Sequence, residues 1–135
     1  MRFGTLFYMT DKTNKTDKTD RVIDKTYVAT PPELIDFVAN SIKYVAKKEF
    51  GKELDDKDVQ ILDPFAGRGE FFTRMHDTGF LDPKKDYNLT AYELSKKRYA
   101  DMVKEFKKRN LKVNAKNIDT FKTDVTVDGT IHEEY

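Results

Sequence analysis

From Leu34 onward, apolar residues recur at three- and four-residue spacing through Ile35, Val38, Ile42, Val45 and Ala46, which lays one apolar stripe along a helix starting at Pro32. Thr30 is placed to cap its N-terminus, the prolines suit its first turn, Glu33 suits its positive end, and Gly51 closes it after Phe50. Beyond the charged turn LDDKD, the run Val59, Ile61, Leu62 reads as a buried strand ending at Asp63-Pro64. A second helix fits Glu70 to about Thr78, closed by Gly79, with Phe71 and Phe72 as core residues. Tyr87, Leu89, Ala91 and Tyr92 predict the next strand, and Ser95 caps a helix on which Tyr99, Met102, Val103 and Phe106 lie at helical spacing. Lys104, Lys107, Lys108 and Arg109 crowd its C-terminal end, where cations complement the helix dipole. Leu111 to Val113 gives a third, short strand, and Phe121, Val125 and Val127 predict one further short strand. This alternation makes the fold class α/β, with a mostly parallel sheet.

The N-terminal region departs from this pattern. Thr10 to Asp20 reads TDKTNKTDKTD and contains no apolar residue, so it has nothing to bury that would offset the entropy of ordering. Residues 1–26 are therefore expected to be a flexible segment and polar tether, and residues 27–135 a single domain.

Composition narrows the possibilities further. In a chain of 135 residues, 36% are charged and 38% hydrophobic, which limits the material for a core to one small domain. No stretch approaches the roughly 18 apolar residues a bilayer span needs, and no export signal is visible, so an intracellular, cytoplasmic setting is expected. With 25 Lys and Arg against 24 Asp and Glu, there is no global field to draw in nucleic acid. Zero cysteines rule out disulfides and thiolate chemistry, and His76 and His132 are too few for most histidine-built metal sites.

The segment Ile61-Leu62-Asp63-Pro64-Phe65-Ala66-Gly67-Arg68-Gly69-Glu70 carries the candidate chemistry, because an acid, a Gly-x-Gly turn and a helix start directly follow one apolar strand. In an open α/β sheet, ligands sit beyond the carboxyl ends of strands, where glycines admit close approach to the backbone. A dinucleotide fingerprint would have a third glycine where Phe72 stands, so the acid at Asp63 points instead to a ligand carrying positive charge, such as an ammonium group. Glu93 ends the second strand 24 residues after Gly69, near the spacing at which nucleotide sites place an acid for ribose hydroxyls. Asp119 follows the third strand and is in range of a purine amine, although aspartate's ordinary role there is in a turn or cap. Arg68 is suited either to a ligand or to solvent, and His76, without a second ligand nearby, reads as a surface or partly buried histidine.

Asp-Pro-Phe-Ala-Gly-Arg-Gly-Glu-Phe-Phe at 63–72 resembles the first motif of S-adenosylmethionine-dependent methyltransferases, in the form found in DNA adenine-N6 methyltransferases. Tyr27 to Leu34 resembles the Y-x-T-P-x-x-L segment that packs over the cofactor methionine in that family, and Tyr92-Glu93 resembles its second motif. The resemblance implies a partial Rossmann-like methyltransferase fold and S-adenosylmethionine as cofactor. It further implies that Thr30 contacts the cofactor carboxylate end, Asp63, Pro64, Phe65 and the Gly67 to Gly69 backbone hold the methionine part, Glu93 holds the ribose, and Asp119 approaches the adenine. The family's catalytic N/D/S-P-P-Y/F/W tetrad is missing: Thr30-Pro31-Pro32-Glu33 has the double proline but neither the polar acceptor nor the aromatic ring, and it precedes the first strand.

On this reading no residue is catalytic, the expected domain is cut roughly in half at Tyr135, and the chain alone does not transfer methyl groups. DNA would be engaged through a separate target-recognition part, and a second protein chain would complete the fold. Two alternatives stand beside it: a small non-catalytic binding or modulator protein with a methyltransferase-like half-fold, and part of an RNA or protein methyltransferase.

Overall fold

The computed structural model describes residues 27–125 and 131–133; the expected N-terminal tether and Val127 lie outside the described residues. In chain order the elements are α1 Pro32–Phe50, β1 Gln60–Asp63, α2 Glu70–Asp77, β2 Asn88–Tyr92, α3 Lys96–Lys108 and β3 Asn114–Lys116, then a 3-10 turn Thr120–Lys122, β4 Thr123–Val125 and β5 Ile131–Glu133. The protein is mixed α/β. β1, β2 and β3 form a parallel sheet in that order, with Asp63 beside Ala91 and Ala91 beside Ala115. β4 and β5 form a separate antiparallel pair, so the chain after Phe121 makes two strands where one was expected.

α1 buries the predicted stripe through Ile35, Val38, Ala39, Ile42 and Ala46, and ends at Gly51, whose left-handed backbone (φ 64°) lets its amide reach the Lys47 carbonyl. Its start differs from the expectation by one residue. The N-cap is Pro31, without a side-chain cap bond, and Thr30 lies one position upstream. Proline at the first helical position forces the residue before it into an extended conformation, and Pro31 adopts it at φ −56°, ψ 140°. β3 is also displaced: the ladder uses Asn114–Lys116 rather than Leu111 to Val113. Asn110 takes a left-handed conformation (φ 53°) and the Leu111 amide folds back onto the Phe106 carbonyl, so the apolar residues are used in leaving α3 and pack against the core instead of pairing.

The core gathers Ile61, Phe71, Phe72, Met75, Ala91, Met102 and Phe106, all nearly or fully buried. Burying a phenylalanine contributes about 1.5–3 kcal/mol, which makes the Phe71–Phe72–Phe106 ring cluster a principal link between α2 and α3. Two arginine forks add direction. Arg74 on α2 holds Asp36 of α1 at 3.0 and 2.8 Å, and Arg109 after α3 holds Asp77 of α2 at 2.8 and 2.9 Å. Among the described residues no helix is long and apolar enough to cross a membrane.

Candidate functional site

β1 and β2 end side by side, so Asp63 and Glu93, 1% and 6% exposed, are buried at neighbouring carboxyl ends of the sheet. The turn Pro64 to Gly69 leaves β1 and enters α2 between them. It is fastened to β2 by two bonds: the Ala66 amide donates to the Tyr92 carbonyl at 2.8 Å, and the Gly67 amide donates to Glu93 Oε1 at 2.8 Å. Glu93 Oε2 accepts the Ser95 amide at 2.8 Å, where Ser95 itself caps α3 by accepting from the Arg98 amide. One carboxylate therefore ties the glycine turn to the start of the following helix. Asp63 Oδ1 accepts the Phe65 amide at 3.2 Å and shapes the first step of the same turn.

The two glycines make room for different neighbours. Gly67 (φ 59°) lies under the Tyr27 ring: a Cβ there would stand 2.2 Å from the phenol oxygen. Gly69 (φ 83°) faces the core, where a Cβ would stand 2.8 Å from Phe106 and 2.9 Å from Met102. Both positions need glycine for backbone and for space. The space at Gly67, expected to admit a ligand, is taken by a protein ring, and the space at Gly69 belongs to helix packing.

In front of the turn is a shallow, open hollow of about 10 Å³ lined by Tyr27, Val28, Thr30, Phe65, Ala66, Glu70 and Phe71. Thr30 and Phe65 thus face it, whereas Asp63, Glu93 and Gly69 stand behind it in the turn's own framework. The Tyr27 hydroxyl hydrogen-bonds Glu70 and accepts the Arg68 amide at 3.2 Å. Arg98 lies 4.5 Å and Arg68 5.0 Å from the Tyr27 ring centroid, so two cations flank one aromatic ring. Burial is the largest influence on the Glu70 carboxyl and raises its pKa, against the lowering effect of the bonds from Tyr27 and Arg68. Arg68 also pairs with Asp101 of α3 at 3.4 Å.

Asp119 lies in the segment that returns to the same end of the sheet. Its Oδ1 accepts the Phe121 amide at 3.0 Å and so forms the 3-10 turn. The Thr120 hydroxyl bonds the Pro64 carbonyl, and the Phe121 ring stands 5.7 Å from that of Phe65. The post-β3 turn therefore touches the glycine turn at Pro64 and Phe65. Asn117 donates to the Glu93 and Leu94 carbonyls at 2.8 and 3.0 Å, bracing the end of β2 from the β3 side.

Glu70, Arg98 and Asn117 were not singled out by the sequence as site residues, and Tyr27 entered only as the first residue of the segment resembling one that packs over the cofactor methionine. Glu70 stood inside the motif at the helix start, and Arg98 follows Lys96 and Lys97 in a stretch that was given no role. Among the described residues no group of three or more His, Asp or Glu is arranged to hold a metal ion. Comparison with family models, with curated proteins and with solved structures finds no match for this chain.

Proposed function

We propose that the chain is the S-adenosylmethionine-binding portion of a DNA adenine-N6 methyltransferase of restriction-modification type, inactive alone, with a partial Rossmann-like domain. DNA and a second chain are its partners in this reading, in a cytoplasmic setting. The observation that carries it is the burial of Asp63 and Glu93 at adjacent parallel strand ends, on either side of a glycine turn that opens a helix. This is where an α/β sheet offers a ligand both backbone donors and carboxylates.

Glu93 keeps acceptor capacity for the group. A carboxylate accepts up to about four hydrogen bonds, so the two backbone amides on Glu93 are compatible with ribose hydroxyls beside them. Thr30 and Phe65, which line the hollow, would face the methionine part, and Asp119, in the turn that touches Pro64 and Phe65, would approach the adenine. When bound, the cofactor supplies an electrophilic methyl group. This chain's residues bind and orient it, and the group that presents the target amine comes from elsewhere.

Isothermal titration with S-adenosylmethionine tests the reading. The wild-type chain is expected to bind, and Asp63→Ala to bind at least tenfold more weakly while keeping a cooperative thermal transition. A folded wild-type chain that gives no binding heat would remove the basis for the reading.

A second reading, a non-catalytic binding protein, is favoured by one specific observation. Glu93 and Asp63 already serve the turn's own amides, and Tyr27 covers Gly67. Absence of cofactor affinity in a well-folded chain is its expected signature.

A further inference from the structure

Tyr27 fills the space that Gly67 opens. Its ring touches the glycine so closely that even a methyl group would overlap it, 2.2 Å from the phenol oxygen and 2.6 Å from ring carbon Cε1. Beside the ring is only a shallow, open hollow of about 10 Å³. That is far below the roughly 300–1,000 Å³ of small-molecule sites, so a ligand here needs the space that the tyrosine side chain takes up.

The groups around the ring have a definite chemistry. One carboxylate, Glu70, receives the phenol, and two guanidiniums, Arg68 and Arg98, lie against the ring at 5.0 and 4.5 Å. Glu70 lines the hollow and the two guanidiniums border the ring, Arg68 also pairing with Asp101 at 3.4 Å; with the ring withdrawn, this acid and these cations would together complement a zwitterion, an ammonium for the carboxylate and a carboxylate for the guanidiniums. Burial disfavours the charged form of that carboxylate, and the bond from Tyr27 is the largest effect opposing it. The segment holding the ring, Tyr27 to Pro31, belongs to neither helix nor strand, and Val28 is 40% exposed. Displacing Tyr27 itself would break no helix or ladder bond, while Pro31 stays fixed by its carbonyl, which accepts the Leu34 and Ile35 amides.

We infer that Tyr27 is a built-in competitor for the ligand: it occupies the recess in which Glu70, Arg68 and Arg98 receive the zwitterionic amino-acid end of the cofactor, and it must withdraw for that end to bind. This inference rests on the cofactor reading and adds to it the residues that recognise the head group and the contact that holds the site closed. A site that is open for only part of the time binds with an affinity reduced by its open fraction.

The test is calorimetric titration of the full chain and its variants with S-adenosylmethionine and with 5′-methylthioadenosine, which has the nucleoside but no amino-acid end. Tyr27→Ala is expected to bind S-adenosylmethionine about tenfold more tightly than wild type, since the closed population disappears. Tyr27→Phe keeps the ring packing and loses only the bond to Glu70; it is expected to bind more tightly by a smaller factor, and it decides the matter if the alanine variant does not fold. Glu70→Gln in the Tyr27→Phe background is expected to weaken S-adenosylmethionine at least tenfold and to leave methylthioadenosine unchanged. Unchanged or weaker binding in the folded tyrosine variants would overturn the competitor while leaving the cofactor reading in place, and equal losses for both ligands on Glu70→Gln would overturn the head-group assignment. If neither wild type nor variants bind S-adenosylmethionine, the cofactor reading itself fails, and this inference with it.

Discussion

Glu93 shows how one carboxylate can look like a ligand contact in sequence and act as a brace in the fold. It accepts two backbone amides, Gly67 and Ser95, from segments that begin two different helices. Gly67 is the other half of that brace, and its left-handed backbone (φ 59°) disfavours any side chain. Gly67→Ala is expected to cost about 1–2 kcal/mol from the backbone alone, with a further loss from overlap with Tyr27. Thermal unfolding followed by circular dichroism measures it, with each kcal/mol lowering the midpoint by about 4 °C or more. Adding Tyr27→Ala should restore the overlap part and not the backbone part. A Gly67→Ala variant that melts with the wild type would mean that the ring does not rest on the glycine.

At the scale of elements, α2 is held from both sides by arginine forks, Arg74 with Asp36 of α1 and Arg109 with Asp77. The Arg109 guanidinium, helped by His76, lowers the Asp77 pKa from 3.8 to about 2. A carboxyl with a depressed folded pKa adds stability that is complete above its unfolded pKa and is lost as pH falls through the folded one. The contribution should thus fade between about pH 4 and 2. With Asp77 half exposed (49%), the gain is modest, at most about 1 kcal/mol. Arg109→Ala is expected to lower the melting midpoint slightly at pH 7 and to differ less from wild type at pH 2. An equal difference at both pH values would contradict the fork.

The helices and first two strands were legible because their signals are local: the stripe on α1, the Ser95 cap, and the glycines after α1 and before α2. β3 was displaced because its pairing is decided by β2 rather than by its own apolar residues; the ladder took Asn-Ala-Lys and left Leu111 and Val113 to the core. Asp63 and Glu93 were correctly placed at one end of the sheet, since strand order alone brings them there. Tyr27 against Gly67 was not legible, because the pair is separated by 40 residues and no periodic pattern marks such a contact.

At the scale of the whole molecule, the parallel sheet is uneven. β2 pairs on both sides and places Leu89, Ala91 and Tyr92 in the core, whereas β3 pairs with β2 alone among the described residues and has no buried residue. Amide hydrogen exchange is expected to be at least tenfold slower in β2 than in β3, since edge segments with few buried contacts open locally. Equal protection in both strands would require a further partner along the β3 edge.

The glycine bend has a floor and a ceiling of different kinds. Below Gly69 lie Phe106 and Met102, set in the interior and backed by Phe72. Nearest above Gly67 lies the Tyr27 ring, carried by irregular chain. A side chain at position 69 would have to push into the packed interior, whereas one at 67 would press on a ring borne by chain outside helix and ladder, so the two glycines should differ in how costly their replacement is.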